Sequence, residues 1–435
     1  MAAFNDVDGI PMHAHRHLLR DVLKGEWGFD GVVVADWNGV GQLVDQGVAA
    51  DLSDAARQAI EAGVDLDMCS GAYAAHLADL VGSGQVSMEL LDDAVRRVLM
   101  LKFRLGLFEQ PYADGDPGRS HEPSTRTRSV ARAAAREAHV LVANDGVLPL
   151  TAQTRTVLLT GAFADDGEAL LGTWTLDGRG EDVVTPAEAL RARLGERLIV
   201  DDGRFSDRTV RRARDADVTV ALLGEHPSRS GEANSVSDIG LPAGQEAVLR
   251  QLAGLGKPLI AVVYTGRPLA LGEVLRAASA TIVAWRPGVE AGNALAEILF
   301  GDVAPSGRLP ITFPRSAGHI PTTSHQRPTG RPIASVDDHR MGRYLDALSQ
   351  PQLPFGFGLS YTDFAYGPPR VSSSRVELED AAITVEVDVT NAGPRDGAEL
   401  VQLYFRDPVA EVTRPLLELL DWTRLELPVG QTGTA

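Results

Sequence analysis

The stretch Trp27-Gly28-Phe29-Asp30-Gly31-Val32-Val33-Val34-Ala35-Asp36-Trp37 decides how the chain is read. Gly28 and Asp30-Gly31 signal a turn, four small or β-branched apolar residues follow, and then come one acid and one tryptophan. A continuous apolar run bounded by turn residues predicts a strand buried on both faces, hence a parallel sheet. An acid at the C-terminal end of such a strand costs free energy unless it is paired or has work to do. In a (β/α)8 barrel that end carries the chemistry. The plain alternative is that Asp36 caps a helix after the strand.

Outward from this stretch, His15–Lys24 reads as a short helix, and Ser53–Ala62 as a second with Ser53 as its cap. Gly63–Met68 reads as another short strand. Met88–Leu105 carries apolar residues at helical spacing, with Ser87 as cap and Gly106 as stop. Two strand–helix units are part of a barrel, since eight need about 250 residues. Residues 111–128, with Pro111, Asp114–Gly118 and Pro123, read as a linker. Ser129–Ala143 reads as an alanine-rich helix. Strand signals recur at Thr156–Leu159, Asp217–Leu223, Pro258–Tyr264 and Ala280–Ala284, with helices at Gly244–Leu255 and Ala291–Phe300. That alternation implies a largely parallel sheet covered on both faces. Residues 303–360 read as extended loop anchored at Pro354–Tyr361. From about residue 366 the apolar period becomes two, at Ile383–Val389 and Glu399–Phe405. This predicts three or four strands of a β-sandwich that needs roughly seven, with an edge left unpaired.

The 435 residues are 44% hydrophobic and 23% charged, ordinary for a globular protein, and the formal charge of −18 argues against nucleic acid or an anionic membrane surface as partner. Cys69 is the only cysteine, so no intrachain disulfide forms, and it reads as a packed structural thiol. No apolar run reaches membrane-spanning length and no signal peptide is visible, which gives the cytoplasm as the default location. His13, His15 and His17 alternate without a supporting acid and read as solvent-exposed rather than metal ligands. Gly161 and Gly167 follow a strand but miss the dinucleotide-loop spacing, so neither a nucleotide nor any other cofactor is expected.

A second stretch is informative. The apolar Val218–Leu223 feeds a long polar loop, Gly224-Glu225-His226-Pro227-Ser228-Arg229-Ser230-Gly231-Glu232-Ala233-Asn234-Ser235-Val236-Ser237-Asp238-Ile239-Gly240-Leu241-Pro242. Glu225 lies at the strand end and reads as structural; Glu232 lies out in the loop, where a solvated glutamate is the simplest reading. Asp65 and Asp67 flank the second short strand, and Asp67 reads as a structural hydrogen-bond acceptor.

Gly28–Trp37 resembles the nucleophile motif of glycoside hydrolase family 3, the β-glucosidases and their relatives, with Ala35 where that family usually has serine. Ala3-Phe4-Asn5-Asp6-Val7-Asp8-Gly9-Ile10-Pro11 and His17–Trp27 are similar to the same family. So are Gly256–Leu259, Gly266–Leu271, Trp285–Gly288, Glu290–Ala294 and Gly301–Pro314, which read as sheet and loop scaffolding. The Glu232 loop resembles the family's acid/base loop, with Val236 where arginine is usual. The resemblance implies an α/β chain: residues 1–112 the C-terminal part of a (β/α)8 barrel, 113–128 a linker, 129–320 an α/β sandwich domain, 321–365 an extended loop, and 366–435 a partial fibronectin type III-like β-sandwich. It also implies that the chain starts within the barrel and stops within the last domain. Asp36 would be the nucleophile and Glu232 the acid/base of a retaining β-glycosidase of the β-glucosidase type. Trp37 would stack on the sugar, and Met1 and Phe4 would line its subsite. The substrate would be a β-glucoside or oligosaccharide, and self-association or a complementing N-terminal half would complete the barrel. The alternative from another class is a non-catalytic module for carbohydrate binding or protein interaction.

Overall fold

A computed structural model describes residues 1–112, 123–201, 203, 206–242, 244–331, 344–375 and 382–435. Part of the predicted linker, 113–122, and part of the predicted extended loop, 332–343, therefore lie outside the described residues. The chain divides into two compact units, Met1–Ser120 and His121–Ala435.

In the first unit, β1 (Asp6–Val7) pairs antiparallel with β2 (Ile10–Pro11) across Asp8 and Gly9, both at positive φ, the geometry of a tight hairpin turn. A 3-10 turn, Met12–Ala14, leads into His17–Glu26, which is wound as a π-helix and closed by Trp27 N–H donating to the Val22 carbonyl at 2.9 Å. Val32–Ala35 does not extend into a long ladder. Val34 makes one parallel bridge to Leu66, and Ala2 N–H donates to the Val34 carbonyl at 2.9 Å on its other side. The parallel pairing of the two predicted strands is present, but over a single bridge.

Four helices follow: α1 (Gln42–Asp45), α2 (Leu52–Ala62), α3 (Ala72–Gly82) and α4 (Met88–Arg104). Asp51, not the expected Ser53, caps α2, because the Asp51 carboxylate accepts the Asp54 N–H. Ser87 caps α4 as its sequence predicts, and Gly106 turns away at φ 68°. The core holds Leu19, Val33, Ala35, Leu43, Ile60 and Val64. Of α4 only Ala94 is buried; Val95, Leu99, Met100 and Phe103 are exposed.

The second unit begins with α5 (Thr125–Ala138). Ser124 caps it, so the helix starts inside the predicted linker. It also stops earlier than expected: His139 is extended, and the β-branched run beyond becomes β3 (Val140–Asn144). Then come β4 (Val157–Thr160), α6 (Gly167–Leu171), α7 (Pro186–Leu194), β5 (Leu198–Val200), α8 (Asp207–Asp215) and β6 (Val218–Gly224). The series closes with α9 (Gln245–Ala253), β7 (Leu259–Tyr264), α10 (Gly272–Ala277), β8 (Ala280–Val283) and α11 (Ala291–Phe300).

The sheet runs β3-β8-β7-β6-β4-β5, parallel except for the β3–β8 pair. Every residue of β4, β6, β7 and β8 is buried, which is why each reads as an unbroken apolar run. Gly161, at φ 121°, follows β4 where a Cβ would lie 2.0 Å from the Leu222 carbonyl oxygen. That glycine is required by contact with the neighbouring strand, which accounts for it without a nucleotide.

The C-terminal part contains β9 (Phe364–Tyr366), β10 (Arg370–Val371), β11 (Val385–Glu386), β12 (Asp388–Asn391), β13 (Gly397–Phe405), β14 (Glu418–Leu427) and β15 (Thr432–Thr434). This exceeds the three or four strands expected, because two- and three-residue strands carry no readable alternation. They pair as β15-β12-β9, as the β13–β14 hairpin and as β10–β11, over a small core of Val389, Val401 and Leu427. Among the described residues no helix is long and apolar enough to cross a membrane.

Candidate active site

Asp36 ends its strand and starts a tight turn. Its carbonyl accepts the Gly39 N–H at 2.9 Å, and its Oδ1 accepts the Trp37 N–H at 2.7 Å. Asn38, at φ 54°, donates its N–H to the Met68 carbonyl at 2.8 Å, tying the turn to the second strand segment. Asp36 therefore does not cap a helix: its side chain bonds the adjacent amide, and α1 begins only at Gln42. The Asp36 N–H donates to His13 Nε2 at 3.2 Å.

His13 is 1% exposed and His15 6% exposed, which corrects the expectation of solvated histidines; only His17 is exposed. The chain folds the hairpin β1–β2 back so that the 3-10 turn lies under Asp36, and His15 Nδ1 accepts the Leu18 N–H at 3.3 Å. The Phe4 ring centroid is 6.2 Å from that of His13. Trp37 is 67% exposed and Met1 70% exposed. Among the described residues no group of three histidine, cysteine or acidic side chains is placed to hold a metal.

A buried ion pair supports this frame. Lys24 Nζ lies 2.6 Å from Asp65 Oδ1, and Asp65 Oδ2 accepts the Val33 N–H at 2.8 Å, so one carboxylate fastens the π-helix to the strand. Burial pulls the Lys24 ammonium below the ordinary lysine range despite the attraction of Asp65. Asp67 accepts from Ser70 Oγ at 2.6 Å, as its structural reading anticipates. Cys69, expected to be packed, is exposed at φ 66°.

Glu232 belongs to the second unit. Its strand, β6, ends at Gly224, φ 134°, where a Cβ would lie 1.8 Å from the Tyr264 carbonyl oxygen. Glu225 next to it is fully buried and meets Arg229 Nε at 3.3 Å and Arg267 Nε at 3.2 Å, with Thr265 Oγ1 at 3.3 Å. Arg267 also donates to the carbonyls of Arg229 and Asn234, on either side of Glu232 in sequence. Thr173 Oγ1 lies 2.6 Å from the Pro227 carbonyl and 2.8 Å from that of Ser230. Arg286 donates to the Glu225 carbonyl at 2.5 Å, and burial lowers its guanidinium to about 10. Glu232 itself is exposed. Its carbonyl accepts from Asn234 Nδ2 at 3.1 Å, while its carboxylate makes no hydrogen bond among the described residues.

The first unit thus gathers Asp36 and Phe4 around His13, with Trp37 adjacent in the turn, and the second unit carries Glu232 on a braced loop. Sequence reading missed His13 and the Lys24–Asp65 pair. Both act through partners distant in sequence, and only Gly39, whose added Cβ would lie 2.2 Å from His13 Nε2, marks the place locally.

Three family models match the chain: the Glycosyl hydrolase family 3 N terminal domain over residues 1–101, the Glycosyl hydrolase family 3 C-terminal domain over 139–361, and a Fibronectin type III-like domain over 399–435. A periplasmic β-glucosidase of Salmonella typhimurium is 37% identical over 100% of the chain and 61% of its own length. Thermostable β-glucosidase B of Acetivibrio thermocellus is 30% identical, over 100% of the chain and 57% of its own length. The crystal structure of a β-glucosidase from Listeria innocua in complex with glucose superposes with a TM-score of 0.94 at 35% identity, covering 100% of the chain and 61% of that protein. The chain spans about three fifths of the length of these relatives.

Proposed function

The chain belongs to glycoside hydrolase family 3, and from that premise we propose that it carries both catalytic carboxylates of a retaining β-glucosidase acting on terminal nonreducing β-D-glucosyl residues. The observation that carries the reading is Asp36 at a strand end, its peptide N–H, carbonyl and one carboxylate oxygen each engaged and Oδ2 left without a hydrogen bond among the described residues. A nucleophile benefits from being held this way, because orientation lowers the barrier before reaction begins. Asp36 attacks the anomeric carbon while Glu232 protonates the leaving oxygen; water then hydrolyses the glycosyl-enzyme with Glu232 as base. A retaining outcome requires the two carboxyl groups about 5–5.5 Å apart. Exposed Trp37 offers a face for the sugar, with Met1 and Phe4 as lining.

Relatives matching across the whole chain are glycosidases, which favours catalysis over a non-catalytic module. The similar β-glucosidase of Salmonella typhimurium is periplasmic, and cell fractionation against a periplasmic marker tests whether this protein shares that location.

The deciding experiment is hydrolysis of an aryl β-glucoside by the chain, alone and with a supplied N-terminal half, beside Asp36→Ala and Glu232→Ala. Turnover should vanish in Asp36→Ala. Glu232→Ala should keep activity mainly on substrates with good leaving groups, and azide should restore its second step. Undiminished turnover in Asp36→Ala would remove Asp36 from the nucleophile role.

A further inference from the structure

We propose that His13 is a titratable positioning residue: its neutral imidazole receives the Asp36 peptide N–H, and its protonation releases the Asp36–Gly39 turn and so limits activity on the acid side. The catalytic consequence rests on Asp36 being the nucleophile; the coupling of His13 to the turn does not.

The geometry assigns the proton. A peptide N–H only donates, so Nε2, at 3.2 Å from the Asp36 nitrogen, is the acceptor and the ring hydrogen is on Nδ1. The ring is 1% exposed and tucked under the turn. At Gly39 an added Cβ would meet Nε2 at 2.2 Å and Cε1 at 2.4 Å, so the turn has room for the imidazole only because residue 39 lacks a side chain. The 3-10 turn carrying His13 is itself pinned, with Met12 N–H on the Asn5 carbonyl at 3.2 Å and His15 N–H on the Met12 carbonyl at 3.1 Å. The histidine has little freedom to follow Asp36 if the bond fails.

The charges around it are few. Asp36 at the strand end and Asp67 in the following segment both favour the imidazolium. Helix α2, which packs against the same turn, buries Ala55, Ala56, Ala59 and Ile60, and its Asp54, Arg57 and Glu61 pair with one another. Phe4 contributes an apolar ring. Burial outweighs the two carboxylates, and the His13 pKa falls below its ordinary value. The sign follows from that depression. Above the ordinary histidine pKa the neutral ring and its bond are fully present. As pH falls toward the lowered folded value, Nε2 takes a proton, two donors face each other, and the stabilisation is lost.

The test is a pH titration of the full chain by nuclear magnetic resonance, following the His13 ring nitrogens and the Asp36 amide, in the wild type and in His13→Gln. The glutamine carbonyl introduced by that substitution can accept the same N–H but does not titrate. The expected result is an unprotonated Nε2 at neutral pH, and an Asp36 amide that moves with the His13 midpoint in the wild type but not in His13→Gln. An Nε2 that carries the proton at neutral pH, or an Asp36 amide indifferent to His13, overturns the proposal. With turnover in hand, His13→Leu should lower kcat/KM by about tenfold to a hundredfold with kcat taking most of the loss, and His13→Gln should restore most of it. The acid limb of the wild-type profile should lose its His13 component in His13→Gln; an unchanged limb sinks the catalytic half. Absence of turnover in every form would count against the glycosidase reading alone, because the titration still decides whether His13 holds the turn.

Discussion

Asp36 and Glu232 are held by opposite means. Asp36 stands directly on a strand end, and the four-residue turn it opens is fixed by its own backbone, by His13 beneath it and by Met68 beside it. Glu232 stands seven residues beyond Glu225, the first residue after β6, on a loop braced through its backbone on both sides of a free side chain. There the brace is a buried carboxylate, Glu225, gathering Arg229 and Arg267, which reach back to loop carbonyls. The difference suits the roles proposed for them. A nucleophile must be aimed at one carbon, whereas an acid/base must serve first a leaving group and then a water. A rigid turn serves the first task and a braced loop with a free tip the second.

The largest effects should come from the two buried charges. Glu225→Gln should destabilise by about 3–4 kcal/mol, because it leaves two half-buried guanidinium groups facing a neutral amide where a fully buried carboxylate stood. Lys24→Met, which strands Asp65 in the same way, should cost less, about 2–3 kcal/mol. The Lys24 ammonium lies below its ordinary range, so burial already offsets part of what the pair gains. Urea unfolding of both variants measures the order. A reversed order would mean that the strand under Asp36, not the loop under Glu232, depends more on buried charge.

How much of this was readable beforehand follows the same division. The central parallel strands were legible because each is buried on both faces, so apolar residues run without interruption. The caps at Ser87 and the stop at Gly106 were legible because capping is decided within four residues. Asp36 and Glu232 stand out through their neighbouring residues in the chain. What could not be read was whatever depends on distant partners. His13 meets Asp36 across 23 positions, and Lys24 meets Asp65 across 41. The spacing of His13 among alternating histidines suggests solvent, and only the fold supplies its partner and that of Lys24. Edge strand β5, three residues long and half-buried, is too short to show any period. Strand β3 was hidden because the alanine-rich helix before it runs straight into its apolar residues.

A second buried histidine sharpens the comparison. His139, at the junction of α5 and β3, is fully buried; its Nδ1 lies 2.6 Å from the Ala135 carbonyl, and its Nε2 has no partner among the described residues. Burial holds its pKa at about 4. Because the folded value is depressed, the neutral ring's stabilisation is complete above the ordinary histidine pKa and is lost as pH falls from there toward 4. The loss should be on the order of 2–3 kcal/mol by linkage. His139→Leu should flatten the dependence of stability on pH in that window, measured as urea midpoints at successive pH values. Unlike His13, His139 accepts no hydrogen bond from the Asp36 turn, so its substitution should leave the acid limb of kcat/KM in place. A change in that limb would show that global unfolding, not the Asp36 turn, sets the acid limit.

The smallest expected effect tests the base of the loop. Thr173 Oγ1 lies within hydrogen-bond reach of the Pro227 and Ser230 carbonyls, but a single hydroxyl hydrogen serves one of them at a time. Its methyl group lies where a Cβ on Gly231 would meet it at 2.8 Å, so Thr173 also limits what the loop can present beside Glu232. Thr173→Val keeps that methyl and removes only the hydroxyl. It should cost about 1 kcal/mol, the ordinary worth of one hydrogen bond. Amide exchange should quicken over 228–231 with little change at 36–39. If the cost instead matches that of Glu225→Gln, the hydroxyl and not the arginine cluster is what braces the loop. The contrast between a turn fixed by its backbone and a loop fixed by charge would then fail on the Glu232 side.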